Sequence, residues 1–240
     1  GGTSAAAADI NDEGWICGYS VIPGMGNAAW IFHEDEGVNF LGHGSATRIN
    51  ERRSVICDND FGEPVLIKKD GRVVRLQGNP EAGTAGFAGD LNDYDVVVTE
   101  GRYPGTDTYG GIIWTEEEGI RSLNVLIGTN SGWRSLGITY DINNHGQITG
   151  EGVYQGRPQA YRLDPIPPKL AIQPSATNLV VSWSPAWPGL VLEATEDLSA
   201  PNWQPIATGG TNLLSLSRSE PHRFFRLNLD GIRGLCCAPE

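Results

Sequence analysis

Short apolar segments separated by polar turns run through the first 165 residues, and their order repeats four times. Each repeat opens with an apolar segment that ends in an asparagine, passes through a tight turn, and enters a second apolar segment. The repeated asparagines are Asn11, Asn50, Asn92 and Asn143. Their spacings of 39, 42 and 51 residues indicate a repeat architecture, such as propeller blades or a solenoid.

The pattern within a repeat predicts four short β-strands. After the asparagine turn, second strands are expected at residues 15–19, 54–57, 95–99 and 147–150. Third strands carry a bulky residue, expected in equivalent places: Trp30, Leu66, Trp114 and Tyr161. Fourth strands follow in the first three repeats, at residues 38–41, 73–76 and 120–123. Four strands in about 40 residues are typical of a propeller blade, and no helical periodicity is present.

The asparagine has a physical role in such a turn. Its short amide can hydrogen-bond the backbone two residues further on, and it tolerates the left-handed conformation of tight hairpins. Gly14, Gly71 and Gly146 meet the same need for a left-handed residue. Residues 48–53 of the second repeat lack both the aspartate and the glycine of this pattern. We therefore expect the second repeat to be less regular than the others.

The rhythm changes after a proline-rich segment at residues 164–169, where three of four consecutive residues are proline. Such a segment is stiff and extended, and it predicts a domain boundary. Six further short strands are expected at residues 170–172, 179–183, 191–194, 203–207, 213–216 and 224–229. We predict a core there of Trp183, Leu192, Trp203 and Phe225.

Two resemblances follow from these segments. The pattern D-I-N-x-x-G-x-I-x-G, A-x-x-W, G-x-x-x-L, best matched at residues 9–41 and 141–163, resembles the HAF-type extracellular repeat of exported bacterial proteins. Residues 169–230 resemble a small fibronectin-III-like domain of exported bacterial proteins, through residues 181–183, 192–195, 202–203 and 224–227. The resemblances imply a secreted or cell-surface β-repeat protein.

We accordingly expect an all-β chain with two domains. Residues 1–165 form a propeller-like array of four blade-type β-repeats, which need not be a complete propeller. Residues 169–230 form a small β-sandwich, and residues 231–240 form an irregular tail. The full blade number of the parent protein and the origin of the tail are left open.

Composition and charge narrow the classes of partner. The chain has 240 residues and a formal net charge of −12. An acidic surface repels phosphate backbones, so we expect no nucleic-acid partner. No run approaches the roughly 18 apolar residues of a membrane span. Glycine, at 32 of 240 residues, is about twice as frequent as usual, which is typical of many tight turns.

The cysteines and histidines give no support to a metal or cofactor site. Cys17 and Cys57 are expected to be small buried strand residues, with a disulfide between neighbouring repeats as the alternative. No CxxC pair occurs, and the four histidines do not form HxxxH or HExxH. Asp9 to Gly14 resembles the front of a calcium loop, but its closing acidic ligand is missing.

Candidate chemistry is therefore restricted to binding. The acidic runs at residues 34–36 and 116–118 precede turn glycines and are expected to be exposed hairpin tips. We predict no catalytic residue and place ligand contacts on two insertions, residues 103–109 and 129–134, through Tyr103, Tyr109, Trp133 and Arg134.

The predicted function is a non-enzymatic binding or adhesion module that takes a glycan or protein ligand through loops on one face. One alternative is a polysaccharide-active enzyme, or an accessory module of one, which would use paired carboxylates. The other alternative is a passive structural spacer.

Because the calcium-type loop lacks its closing ligand, we predict that calcium does not stabilise the protein. Addition of calcium should raise the melting temperature by no more than about a degree or two, because a tight site would add several kcal/mol at saturation. Differential scanning calorimetry with calcium and with EDTA measures the shift, and a large EDTA-sensitive increase would contradict the prediction.

Overall fold

A computed structural model describes residues 2–58, 63–76, 84–102, 109–127, 130–166, 168–175, 177–184, 190–208, 211–217 and 223–229. Strands dominate these residues, and the all-β class predicted from the sequence is confirmed. Contacts within the chain define two compact units, Gly1–Pro165 and Ile166–Glu240, here called the N-terminal and C-terminal units.

The N-terminal unit contains four antiparallel sheets, each a meander in chain order. Sheet 1 contains β1 (Ser4–Ile10), β2 (Ile16–Ile22), β3 (Gly26–His33) and β4 (Gly37–His43). Sheet 2 contains β5 (Ser45–Ile49), β6 (Val55–Asp58), β7 (Pro64–Ile67) and β8 (Val73–Arg75). Sheet 3 contains β9 (Thr84–Leu91), β10 (Val97–Arg102), β11 (Tyr109–Thr115) and β12 (Gly119–Ser122). After the single-turn helix α1 (Leu123–Leu126), sheet 4 contains β13 (Trp133–Ile142), β14 (Ile148–Tyr154) and β15 (Arg157–Leu163).

Consecutive sheets of this unit bury their faces against one another. On β6, Val55 and Cys57 join a core cluster with Trp15 of sheet 1, whereas Ile56 joins a second cluster with Trp114 of sheet 3. A third cluster joins sheets 3 and 4. Because side chains alternate along a strand, sheets 2 and 3 are apolar on both faces. We call the face toward the preceding sheet the upstream face and the other the downstream face.

The strand registers correct one sequence prediction. In each repeat, the residue seven places after the asparagine lies in the second strand and pairs with one residue of the third strand. In repeats 1 to 4 these third-strand partners are, in order, Trp30, Val65, Ile112 and Tyr161. Trp30 and Tyr161 are therefore equivalent, as predicted. The predicted equivalence is wrong for Leu66, which points to the opposite face, and for Trp114, which lies two residues further along the same face. A pattern of bulky residues does not fix the register, and a one-residue offset exchanges the two faces.

Each repeated asparagine closes its own turn, and Asn11, Asn50 and Asn92 also reach the next sheet. The Oδ1 atom of Asn92 accepts hydrogen bonds from the backbone N–H groups of Tyr94 at 3.0 Å and Val96 at 3.2 Å. Its Nδ2 atom donates to the backbone oxygen of Asn143 at 3.2 Å. Asn11 donates to Asn50 at 3.1 Å and Asn50 donates to Asn92 at 2.9 Å in the same way. One amide therefore fixes both a turn and a contact between sheets.

The second turn is as regular as the others, so the expectation of a less regular repeat is wrong. The residue three places after the asparagine has a positive φ in every repeat, namely 84° at Gly14, 61° at Arg53, 60° at Asp95 and 71° at Gly146. Arg53 and Asp95 adopt a conformation that glycine adopts more easily. Both form side-chain contacts with a neighbouring sheet that glycine could not make: Arg53 with Glu36 and Asp95 with Lys68.

Residue 123 departs from the predicted fourth strand. Strand β12 ends at Ser122, and Leu123 begins the helix α1 and is buried in the cluster between sheets 3 and 4. The adjacent Asn124 accepts a hydrogen bond from the N–H of Leu136 at 2.6 Å. Packing against β13 therefore ends the strand one residue early.

The C-terminal unit has two three-stranded sheets around one core. Its strands are β16 (Lys169–Pro174), β17 (Asn178–Ser184), β18 (Leu190–Thr195), β19 (Gln204–Pro205), β20 (Leu213–Ser217) and β21 (Phe224–Leu229). Their orders are β16-β17-β20 and β19-β18-β21. Trp183 and Leu192 are buried in the core, and Phe225 packs against it. Trp203 is half-buried under the Arg226 guanidinium, 4.4 Å from the ring centroid, and Ile206 packs against the core from the same segment.

The asparagine ladder predicts a position-dependent loss of stability. Asn92→Ala removes the acceptor of two backbone N–H groups, one of them that of buried Val96, and the bond to the Asn143 carbonyl of the next sheet. The free energy of unfolding should therefore fall by about 2–4 kcal/mol. Asn143→Ala is the matched control, because Asn143 is exposed and its Nδ2 atom reaches only Gln147 of its own turn, at 2.8 Å. The control should lose about 1 kcal/mol. Chemical denaturation followed by circular dichroism measures both, and equal losses would contradict the ladder.

Candidate ligand-binding cleft

A cleft of about 270 Å³ opens between the facing sides of sheets 1 and 2. Its wall on sheet 1 comes from β3, β4 and the turn between them, and its wall on sheet 2 comes from β6 and the β7–β8 turn. Ile31, Leu41, Val55 and Ile67 form an apolar lining. The polar groups at the cleft are Glu36, Asn39, Arg53, Lys68 and Lys69, together with the indole of Trp15.

Arg53 is the central polar group of this cleft. Its guanidinium carbon lies 4.0 Å from the ring centroid of Trp15, and its Nη1 atom lies 3.4 Å from Glu36. Trp15 is also stacked with His33, at a centroid distance of 4.8 Å. The Nε atom of Arg53 is buried and has no hydrogen-bond partner among the described residues. A buried donor without a partner is costly, and an acceptor atom of a ligand would satisfy it.

Three basic side chains line the cleft of this acidic protein. Arg53, Lys68 and Lys69 line it, against the single carboxylate of Glu36. Lys68 is already paired with Asp95 and lies 3.5 Å from Glu116. The acidic hairpin tips are exposed, as predicted, but Glu36 and Glu116 also bind cations of the neighbouring sheet. Arginine at the turn position that glycine occupies in repeats 1 and 4 is the sequence signal that could have identified this site.

The residues predicted for binding lie elsewhere. Tyr103 is outside the described residues. Tyr109 is exposed at the start of β11, with the Arg102 guanidinium 5.8 Å from its ring centroid. Trp133 and Arg134 begin strand β13, so their assignment to an insertion loop is wrong. Arg134 is exposed, and no described contact joins it to Tyr109.

Trp133 has a structural role at the edge of sheet 4. It is half-buried and packs against the core cluster, with ring centroids 5.2 Å from Tyr154 and 5.8 Å from Tyr161. These contacts account for its large ring without a ligand. Binding through Tyr109, Trp133 and Arg134 stays a prediction.

Cys17 and Cys57 are free buried thiols on facing sheets, which confirms the interpretation as small strand residues. Burial, with a further contribution from the Asp9 carboxylate, raises the pKa of Cys17 to about 12. Burial also raises the pKa of Cys57 well above its ordinary range. Both are therefore protonated at neutral pH, and neither is an activated nucleophile.

Asp90 and Asp141 form a carboxyl pair between sheets 3 and 4. The Oδ2 atom of Asp90 accepts the N–H of Ile142 at 3.0 Å, and Oδ1 lies 3.4 Å from Nε of Arg48. Burial raises the pKa of Asp90 to about 6, and the adjacent carboxyl of Asp141 contributes in the same direction. The hydrogen bond that Asp90 accepts from the N–H of Ile142 gives this carboxyl a structural role.

Comparisons with models of protein families, with curated proteins and with solved structures gave no match. Within the described residues, no helix has the length and apolar character needed to cross a membrane. The described part of the chain also brings no three His, Cys, Asp or Glu side chains together as metal ligands.

Asp90 predicts a defined pH dependence. Because its folded pKa of about 6 exceeds its ordinary value near 3.8, the folded state holds more protons between these values. The free energy of unfolding should therefore fall as pH rises from about 4 to about 7, by roughly 2–3 kcal/mol from this group. Asp90→Asn keeps an acceptor for the N–H of Ile142 and should remove this contribution. Denaturation curves across the window measure it, and identical slopes in both proteins would exclude Asp90 as its source.

Proposed function

We propose that this protein is a non-enzymatic binding module that recognises an anionic group of a glycan or protein ligand at the cleft between sheets 1 and 2. The observation that carries the proposal is the guanidinium of Arg53, held over Trp15 with a buried and unpartnered Nε atom. A planar guanidinium binds carboxylate or sulfate oxygens through directed, charge-assisted hydrogen bonds.

The backbone of Arg53 supports this proposal. An arginine with a φ of 61° costs roughly 1–2 kcal/mol relative to glycine, which occupies the same turn position in repeats 1 and 4. The contact with Glu36 uses only one end of the guanidinium. Lys69 adds a second cation at the cleft. A ligand with two or more anionic oxygens would engage both cations.

We further propose that the four stacked sheets are blades of a propeller-type array, and that the protein acts outside the cell. Meander sheets in chain order with face-to-face packing support the first part. The likeness of residues 9–41 and 141–163 to the HAF-type repeat supports the second.

A polysaccharide-active enzyme is the second candidate, and the raised pKa of Asp90 beside Asp141 is the observation in its favour. Asp90 is mostly buried and its carboxylate already accepts a backbone hydrogen bond, which favours a structural role. Hydrolysis of a polysaccharide panel that is lost in Asp141→Asn would favour the enzyme.

The binding proposal predicts separate effects on affinity and stability for Arg53→Gly. Glycine relieves the left-handed strain but removes the stacking on Trp15, so the free energy of unfolding should change by less than about 1 kcal/mol. Binding to uronate-bearing or sulfated polysaccharides should weaken at least about tenfold. Isothermal titration calorimetry measures the affinity, with neutral dextran for comparison.

Arg162→Gln is the matched control, because it removes one positive charge from the exposed strand β15, away from the cleft. The control should bind as the unchanged protein does. If Arg53→Gly and Arg162→Gln weaken binding equally, net charge and not the cleft is responsible, and the proposal fails.

A further inference from the structure

The upstream face of sheet 1 is an exposed apolar surface. Its strand registers place Ile10, Ile16, Phe32 and Val38 in one row, and Trp30 and Phe40 in the next. Ile10 is 60% exposed, Val38 54% and Phe40 66%. Apolar residues that cluster on one open sheet face indicate an interaction surface.

The other three sheets show what covers the equivalent face. Ile10 precedes its asparagine by one residue, as Ile49, Leu91 and Ile142 do in the later repeats. These three are only 5%, 7% and 4% exposed, because each packs against the downstream face of the preceding sheet. The face of sheet 1 most resembles that of sheet 3, where Trp114 takes the place of Phe32 and Ile120 that of Val38.

The hydrogen bonds between sheets define a complementary polar edge. In each contact between sheets, the later repeat offers its asparagine carbonyl to the preceding asparagine amide. The residue after that asparagine accepts a backbone N–H of the preceding repeat on its side chain, as Glu51 does from Asp12 at 2.9 Å. Sheet 1 presents the same acceptors, namely the carbonyl of Asn11 and the exposed carboxylate of Asp12. The Asn11 carbonyl already accepts the N–H of Gly14. This leaves room for a second donor, because the Asn50 carbonyl accepts both the N–H of Arg53 and the side-chain amide of Asn11.

The opposite end of the stack does not complement this surface. On the downstream face of sheet 4, the positions of Ile56 and Leu66 are occupied by Thr149 and Arg162, both exposed. The Asn143 amide, which would donate to a following repeat, donates instead to Gln147 of its own turn at 2.8 Å. One end is closed by polar groups, and the other is open and apolar.

We propose that the upstream face of sheet 1 binds a further β-sheet of the same repeat type, joined in the same polypeptide ahead of β1 as the described sheets are joined. Its asparagine amide donates to the carbonyl of Asn11, and the backbone N–H that follows that asparagine donates to Asp12. Its downstream face carries apolar residues at the positions of Ile56 and Leu66.

A second copy of the chain fits the upstream face of sheet 1 less well than a further repeat does. If two copies met through this face, apolar rows would be in contact, but each copy would present the same acceptors at Asn11 and Asp12. Acceptor would then face acceptor, without the donors that the three internal contacts supply. If this face instead met the polar downstream face of sheet 4 in a second copy, Ile10 and Phe32 would contact the exposed Thr149 and Arg162.

The test adds a second copy of sheet 2 ahead of sheet 1, because the downstream face of sheet 2 already packs on the upstream face of sheet 3. A duplicate of residues 45–83, which carry sheet 2 and the segment that joins it to sheet 3, is placed directly before Thr3. The added repeat should resist proteolysis under native conditions, and the protein should sediment as a monomer. Ile10→Lys should accelerate cleavage of the added repeat at least about tenfold, since docking would bury a lysine. In the 240-residue chain the same substitution lies on an open face and should leave the circular dichroism and melting temperature unchanged.

Thr149→Lys in the extended protein is the control, and it should not alter cleavage. Rapid cleavage of the added repeat without any substitution, or a rate that Ile10→Lys does not change, would overturn the proposal. A stable dimer of the extended protein that Ile10→Lys dissociates would also overturn it, and would assign the face to a second copy.

Discussion

The hydrogen bonds of four buried or turn-forming asparagines hold the N-terminal unit in its arrangement. Each Oδ1 atom accepts one or two backbone N–H groups of its own turn, and three Nδ2 atoms donate to the carbonyl of the next asparagine. The asparagine amide has both an acceptor and a donor group, and it can meet both needs at once. Aspartate lacks the donor, and alanine lacks both.

This constraint sets the composition of the sheets. Once an asparagine fixes the start of the second strand, alternation decides which residues face each neighbour. Sheets 2 and 3 lie between two others, and their second strands are apolar on both sides, as in Val55-Ile56-Cys57 and Val96-Val97-Val98. Among the described residues, sheets 1 and 4 each have one face with exposed side chains, apolar in sheet 1 and polar in sheet 4. The two ends of the row of sheets are therefore not equivalent.

The turn that the asparagine creates also provides the place for the cleft. The third residue after Asn50 must adopt a positive φ, and this residue is an arginine. Its left-handed backbone directs the side chain across to Trp15 and Glu36 of the preceding sheet. The same geometry places Asp95 against Asn50 and Lys68 one sheet further on. The cleft and the contacts between sheets are therefore products of one turn conformation.

The sequence by itself determined the repeats, their strands and the asparagine turns, because these depend on local periodicity and local backbone preference. It also indicated the proline-rich segment at which the chain changes from one compact unit to the next. Only the tertiary structure decided the register, which moved Leu66 to the opposite face from Trp30. It alone placed Arg53 on Trp15 and packed the half-buried Trp133 against Tyr154 and Tyr161, since such contacts join residues far apart in the chain. It alone left Ile10 exposed where Ile49, Leu91 and Ile142 are covered, because burial depends on the neighbouring sheet and not on the residue.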